Sequence, residues 1–170
     1  KKSFILTFIG RPEKRKGFMF VMELWEKFFI NDKNMMLILC GTDIEISDYL
    51  KNPATNIINM GHTDKIPEVL SVSNCLLLPS MHEGLPYSIL ESMAMECPVI
   101  ANKIPSISSL ISNNNNGFLV EGHNHNLYFN KINSIKKKSN FKSIKKITNN
   151  ALSTAKKFDR EKFLVGYNKK

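Results

Sequence analysis

The chain has 170 residues, of which 42% are hydrophobic and 23% charged, a composition typical of globular domains rather than of disordered chains. Its length suits one domain with a sizeable buried core, and no stretch approaches the ~20 consecutive apolar residues that a membrane-spanning helix needs. The formal net charge of +9 is uneven, because residues 131–170 hold 13 basic and 2 acidic residues whereas residues 1–130 hold 11 basic and 13 acidic ones.

Strand and helix patterns alternate through residues 4–120. Apolar runs too short for helices predict strands at Phe4–Gly10, Met35–Gly41, Asn56–Gly61, Cys75–Ser80, Pro98–Asn102 and Gly117–Val120. Helical segments are predicted between them at about Lys16–Phe29, Ile46–Leu50, Ile66–Val72, Tyr87–Glu96 and Ile107–Ile111. This alternation predicts a Rossmann-like α/β domain, in which a parallel sheet has helices on both faces and every strand-to-helix loop on the same edge.

From Asn124 onward the pattern becomes helical and basic. Within Phe141–Phe158 the apolar residues fall on one face of a helix and the lysines lie off it. Such a stripe packs on a protein core or lies on an acidic membrane surface, and packing is the favoured interpretation. The aromatic residues Phe141 and Phe158 lie on this stripe rather than forming a stacking platform, so nucleic acid is not expected as a partner.

The loop after the first predicted strand, Gly10–Gly17, is rich in basic residues. Arg11 offers a planar fork of donors and Lys16 a compact charge, and both suit a diphosphate. A solvated connection between strand and helix would explain the same residues, and the loop alone favours that simpler interpretation.

The loop after the third predicted strand contains Gly61, His62 and Asp64. His62 is placed to contact a nucleotide base, although a lone histidine is more often structural. The sequence has no Cys, His and Asp cluster at metal-ligand spacing, so no metal site is expected. Asp64 is expected to cap the following helix rather than to bind a ligand.

Two glutamates, Glu83 and Glu91, flank a Gly84-Leu85-Pro86 turn that directly follows a buried strand. Gly84 allows close approach of the backbone, and Pro86 suits the start of a helix. The first turn of that helix offers backbone N–H groups and a partial positive charge to a phosphate. Two carboxylates beside such a phosphate site can accept hydrogen bonds from hydroxyl groups. This combination indicates a ligand that is part sugar and part diphosphate. The alternative is a helix cap plus an ordinary surface glutamate.

The segment His82–Glu91 resembles the E-x7-E signature of the GT-B retaining glycosyltransferases known as family 4, or group 1. Four further groups of segments agree with that family in order and spacing. They are Phe8–Arg11 with Lys16-Gly17, Asn59–His62 with Cys75–Ser80, Cys97–Ala101, and Asn116–Val120. The resemblance covers about Phe4 to Val120, and it implies the C-terminal, nucleotide-sugar-binding lobe of a two-lobed enzyme.

The resemblance assigns roles to individual residues. In the family, the residue that matches Glu91 binds the ribose hydroxyls, and the residue that matches Glu83 contacts the donor sugar. The residues that match Arg11 and Lys16 neutralise the diphosphate. Glu83, Arg11 and Lys16 are therefore the expected catalytic residues. The expected donor-binding residues are Glu91, Gly84, Leu85, Pro86, Tyr87, Gly10 and His62, with the amides of Leu85 and Tyr87 donating because Pro86 has no N–H.

By this resemblance the protein transfers a hexose, with retention, from a UDP- or GDP-linked donor to a glycan or lipid-linked acceptor in polysaccharide biosynthesis. Fixed cations and amides stabilise the leaving diphosphate without a metal or a cofactor. Hydrolysis is disfavoured, because Glu91 is occupied with ribose while a glycosidase needs two carboxylates across one bond. A non-catalytic nucleotide-sugar-binding or interaction domain on the same fold is the alternative function.

The expected organisation is a donor-binding domain at 1–130 and a basic helical extension at 131–170, which packs on that domain or on a separate N-terminal lobe. The start, Lys1-Lys2-Ser3-Phe4, has neither an initiator Met nor a signal peptide, so we expect a part of a longer protein that turns over poorly alone. Three dispersed cysteines in apolar runs are expected as buried thiols in the cytoplasm, with peripheral contact at the inner membrane face. The family's glycines after the fifth strand are replaced here by Lys103-Ile104-Pro105-Ser106, which alters the donor fit there.

Overall fold

The structure, a computed structural model, describes residues 3–158. Its six strands are β1 Phe4–Ile9, β2 Met35–Cys40, β3 Ile57–Asn59, β4 Cys75–Leu78, β5 Val99–Asn102 and β6 Phe118–Val120. The helices are α1 Phe18–Phe28, α2 Ile66–Val72, α3 Tyr87–Ala94, α4 Pro105–Ser108, α5 His125–Lys136 and α6 Phe141–Phe158, with short 3-10 helices at Lys14–Lys16, Ile46–Tyr49 and Lys138–Asn140.

All strand pairs are parallel, and the order across the sheet is β3-β2-β1-β4-β5-β6. The chain builds outward from β1 in one direction and then returns to add β4, β5 and β6 on the other side. This is the doubly wound order whose ligand crevice lies at the carboxyl ends of the two central strands, here β1 and β4. The predicted Rossmann-like fold is confirmed.

Side chains alternate between the two faces of the sheet, which explains why β4 is apolar at every position. Cys75 and Leu77 join the core beneath α1 and α5, whereas Leu76 and Leu78 join the core beneath α2 and α3. A strand covered on both faces reads as a continuous apolar run rather than as an alternating one.

The C-terminal helices complete both cores. Helix α5 begins at His125, next to the Asn124 from which the helical pattern is predicted, and buries Tyr128 and Ile132 against α1. Helix α6 begins at the predicted Phe141 and is helical to Phe158, the last described residue, and Ile147 and Ala151 of its stripe are buried beside the sheet and α3. Among residues 3–158 no helix is both long enough and apolar enough to cross a membrane.

Two local predictions were wrong. Asp64 does not cap α2: the cap position is Lys65, and no side chain among residues 3–158 caps this helix. Thr63 instead accepts a hydrogen bond from the Lys65 backbone N–H in a tight turn, 3.1 Å between N and Oγ1. The helical turn predicted at 107–111 begins earlier, because Pro105 supplies the fixed φ that favours the first position of α4.

Candidate functional site at the carboxyl edge of the central strands

Two loops meet where β1 and β4 end. Residues 10–17 follow β1 and residues 79–86 follow β4, and the backbone N–H of Met81 donates to the carbonyl of Arg15 across them, 2.8 Å. The contact fixes the two loops relative to each other at the point where the sheet order reverses. The sequence-predicted Glu83 and Lys16 both lie in this pair of loops.

Lys16 and Glu83 form a bidentate ion pair. The Lys16 Nζ lies 2.9 Å from both carboxylate oxygens, and the side chains are only 22% and 8% exposed. Sequence reasoning placed both residues beside the ligand but did not predict their direct contact. Because an ammonium has three protons, this geometry leaves Lys16 one further donor for an anion.

Gly17 approaches Pro79 closely, and this contact brings together the two loops that carry Lys16 and Glu83. Gly17 has φ +75°, and a β-carbon there would stand 2.5 Å from the Pro79 carbonyl oxygen and 2.8 Å from its Cγ. A glycine is therefore required on both conformational and steric grounds. Gly17 also lies between the 3-10 turn that carries Lys16 and the start of α1.

Helix α3 begins directly after the Glu83 loop. Pro86 occupies its cap position, and no side chain within residues 3–158 caps this end of the helix. Glu91 lies one turn into α3 and is half-buried. Leu85 and Tyr87 are 47% and 58% exposed, so the start of the helix faces solvent at the ligand edge.

Gly84 has open space around it, unlike Gly17. A β-carbon added to Gly84 would meet no atom of residues 3–158 within 4 Å, and its φ lies outside the left-handed region. The described part of the fold therefore does not require glycine at this position. A ligand that approaches the backbone here would supply such a requirement.

Arg11 is turned toward a different acid. Its Nε lies 2.9 Å from Glu13 Oε1, and its side chain is 61% exposed. Arg15 hydrogen-bonds the other Glu13 oxygen and thereby lowers the pKa of that carboxyl. Arg15 was not among the predicted site residues, although its pKa is raised, mainly by the hydrogen bond to Glu13 and in smaller part by the charge of Glu83.

His62 lies at the carboxyl end of β3, next to Gly10 and Gly41 in the fold. The Gly10 N–H donates to the Cys40 carbonyl, and the Gly41 N–H donates to the Gly61 carbonyl. These bonds link the starts of the loops that follow β1, β2 and β3. The exposed His62 ring has its Nε2 3.1 Å from Asp43 Oδ2. His62 is thus on the ligand edge, separated from the Lys16–Glu83 pair by the loop after β2.

The end of β5 contributes an unpredicted contact. The buried Asn102 side chain donates from Nδ2 to the Ser80 carbonyl, 3.2 Å, and so braces the end of β4. Lys103, the first residue of the segment that departs from the family pattern, pairs with Glu121 at the end of β6, 2.6 Å. The first residue of the altered segment is therefore held against the end of the neighbouring strand β6.

The cysteines are buried and unpaired, and they do not contribute to the site. Burial raises the pKa of Cys40 to about 11 and that of Cys97 to about 12, so both thiols are protonated near neutral pH. Among residues 3–158, no group of three His, Cys, Asp or Glu side chains is arranged to hold a metal ion.

Comparison with known proteins identifies the family. Residues 1–154 match the family described as glycosyl transferases group 1. The chain belongs to that family. The resemblance stated from the E-x7-E segment and its neighbours is therefore confirmed.

Two of the relatives have names that describe glycosyltransferases. The chain is 28% identical over 130 residues to the UDP-Gal:α-D-GlcNAc-diphosphoundecaprenol α-1,3-galactosyltransferase of Escherichia coli, covering 71% of this chain and 33% of that protein. It is 26% identical over 127 residues to the capsular polysaccharide biosynthesis glycosyltransferase CapM of Staphylococcus aureus, covering 70% and 33%. The chain thus spans about a third of the length of these relatives.

Solved structures share the fold. The C-terminal domain of the group 1 glycosyl transferase LpcC from Francisella tularensis superposes with a TM-score of 0.77 at 21% identity, covering 95% of this chain and 89% of that one. Anabaena HepE, solved in complex with UDP-glucose, gives 0.77 at 21% identity, covering 91% and 44%. The fold is that of the C-terminal lobe of a GT-B glycosyltransferase.

Proposed function

We propose that this chain is the donor-binding half of a retaining hexosyltransferase that uses a nucleoside-diphosphate sugar. The observation that carries the proposal is the Lys16–Glu83 ion pair, held at the switch point of the sheet beside the start of α3. A cation and a helix N-terminus at one crevice suit the negative charge of a diphosphate, and the carboxylate beside them suits the hydroxyl groups of a sugar.

The proposed chemistry follows from where charge develops. Breaking the bond between sugar and diphosphate builds negative charge on the leaving group. Lys16 and the amides of Leu85 and Tyr87 stabilise that charge, and the exposed Arg11 supplies a second cation when it leaves Glu13. Glu83 orients the sugar and stabilises positive character at its anomeric carbon, while Glu91 accepts hydrogen bonds from the ribose.

The proposed donor is a UDP-linked sugar, and a GDP-linked sugar is the alternative. The E. coli relative is named for UDP-galactose, and HepE was solved with UDP-glucose. The proposed acceptor is a glycan or a lipid-linked sugar, by analogy with the diphosphoundecaprenol and capsular polysaccharide substrates in the relatives' names. Such acceptors support a proposed role in cytoplasmic polysaccharide assembly, and the half described here is expected to bind donor without turning it over alone.

A thermal-shift panel tests the donor proposal. We expect UDP or a UDP-hexose at about 100 times its Kd to stabilise the fold by ~2.7 kcal/mol, a rise in Tm of about 5–10 °C. GDP, ADP and inorganic diphosphate serve as matched ligands, because they separate recognition of the base from simple anion binding. A panel in which no nucleoside diphosphate or nucleotide sugar raises the Tm would leave the non-catalytic interaction domain as the better function.

Peripheral membrane contact is a separate proposal, and it rests on the end of α6 that is left exposed. Phe141 is 70% exposed at the start of the helix, and the exposed lysines Lys137 and Lys138 lie four and three residues before it. The middle of the apolar stripe packs on the domain, whereas Phe158 is 43% exposed. An exposed aromatic side chain among lysines suits the interface of an anionic bilayer.

Vesicle sedimentation tests this contact. We expect Lys137→Ala with Lys138→Ala to lower partitioning onto phosphatidylglycerol vesicles roughly 30-fold, at about 1 kcal/mol per lysine. Lys51→Ala with Lys65→Ala removes the same charge from exposed positions outside α5 and α6, and it should leave partitioning unchanged. Equal losses in both variants would indicate a diffuse effect of net charge, and RNA binding by the unaltered chain would favour the nucleic-acid alternative.

A further inference from the structure

The segment that ends β4 is held by three different elements before the chain reaches Glu83. Met81 donates its backbone N–H to Arg15 in the loop after β1, and Ser80 accepts from Asn102 at the end of β5. Pro79 is held by a third contact, from a residue in the loop after β6. That residue is His123.

His123 contacts the Pro79 carbonyl, although the two residues are 44 positions apart in the sequence. Its Nε2 lies 2.6 Å from that oxygen, and because a carbonyl only accepts, Nε2 carries the proton. The imidazole ring also packs on Phe20 of α1, with ring centroids 4.6 Å apart, and Phe20 is itself buried. The histidine thus joins the loop after β6, helix α1 and the end of β4.

The position of the Pro79 carbonyl affects both partners of the ion pair. Gly17 packs directly against this oxygen, and Lys16 immediately precedes Gly17. Glu83 follows Pro79 by four residues, with Ser80 and Met81 already anchored between them. A shift of this carbonyl would therefore move the Lys16 and Glu83 ends of the bidentate pair relative to each other.

We propose that His123 is a positioning residue, which holds the Glu83 carboxylate in register with Lys16 through its hydrogen bond to Pro79. The consequence for ligand binding rests on the proposed function, in which Glu83 contacts the sugar. His123 then tunes recognition of the sugar and leaves recognition of the nucleotide to Glu91 and the loop after β3.

The neighbouring His125 provides a matched control. Its ring stacks on the same Phe20, with centroids 4.3 Å apart and planes 5° apart, and its Nε2 lies 3.4 Å from Glu23 rather than near Pro79. His125→Ala therefore removes a similar aromatic contact without removing the hydrogen bond to β4. A role of His123 in packing alone would give the two alanine variants the same phenotype.

The first experiment compares affinities by calorimetry for UDP-glucose and for UDP. We expect His123→Ala to weaken UDP-glucose binding about fivefold, the size of one ordinary hydrogen bond, with the Kd of UDP unchanged. His123→Gln retains a side-chain N–H and should recover most of the loss, whereas His125→Ala should leave both Kd values as in the unaltered chain. In a Glu83→Gln background His123→Ala should have no further effect on the UDP-glucose to UDP ratio.

A second measurement needs no ligand and so separates this inference from the proposed function. The side-chain carboxyl carbon of Glu83, observed by 13C NMR in the ligand-free chain, should shift in His123→Ala and stay in place in His125→Ala. If the unaltered chain binds no nucleotide sugar while this resonance responds as expected, the proposed function fails and the positioning role stands. An unmoved Glu83 resonance in His123→Ala, or equal shifts in both alanine variants, overturns the positioning role.

Discussion

Replacing Gly17 with alanine should lower the free energy of unfolding by about 3 kcal/mol. The left-handed backbone at φ +75° costs an alanine roughly 1–2 kcal/mol. The new β-carbon would also stand 2.5 Å from the Pro79 carbonyl oxygen, a backbone atom that cannot rotate away. Relief requires a shift of the loop or of the end of β4, and overpacking of this kind costs about 1–3 kcal/mol.

Urea unfolding followed by the fluorescence of Trp25 measures this effect, since Trp25 is the single tryptophan and is 1% exposed. Gly84→Ala is the matched control, because its β-carbon meets open space and its stability should change by less than about 0.5 kcal/mol. A Gly17→Ala variant that unfolds at the same urea concentration as Gly84→Ala would contradict the close approach of the two loops.

The same pair of glycines shows what the sequence reveals about a loop and what it does not. Both stand in motifs that predict ligand-binding loops, and neither pattern indicates which glycine the fold itself requires. That distinction depends on Pro79, which is 62 residues from Gly17 along the chain and reaches it only because β1 and β4 are neighbours. Local propensity carries no information on such an approach.

The fold was predictable because its signals are local and repeated. Buried parallel strands appear as apolar runs such as Cys75–Leu78, and the amphipathic stripe of Phe141–Phe158 predicts α6 with its observed start at Phe141. Helix starts were less predictable. Asp64 has the residue type of a cap, yet the turn made by Thr63 and Lys65 satisfies the backbone instead.

The roles of the predicted site residues stay predictions, and the contacts between them were not predictable from the sequence. Sequence order placed Lys16 and Glu83 on one edge of the sheet, but their bidentate geometry depends on the loops that the sheet brings together. Arg11 was expected to act with Lys16, and it pairs instead with Glu13, an acid within its own loop. His123 carried no signal at all, because its partner is a backbone carbonyl 44 residues away.

Glu91→Ala should weaken UDP binding about 30- to 100-fold. In the proposed site the Glu91 carboxylate accepts hydrogen bonds from the ribose hydroxyls, and each bond to a charged group is worth ~1.5–3 kcal/mol, part of which water restores in the variant. Its half-buried position one turn into α3 leaves the side chain directed back toward the ligand edge. Glu68→Ala, which removes an exposed carboxylate from α2, should leave the UDP affinity unchanged.

A ligand that lacks the ribose 2′-hydroxyl tests the proposed hydrogen bond between that hydroxyl and Glu91. The unaltered chain should bind 2′-deoxy-UDP about tenfold more weakly than UDP, because the analogue removes a donor to the carboxylate. Glu91→Ala should bind the two ligands equally, since the acceptor that distinguishes them is gone. If the variant still prefers UDP by the same factor, the hydroxyl is bound elsewhere and Glu91 has no part in ribose recognition. Equal affinities, with the Tm of the variant unchanged, would assign the loss to this one contact rather than to a damaged fold.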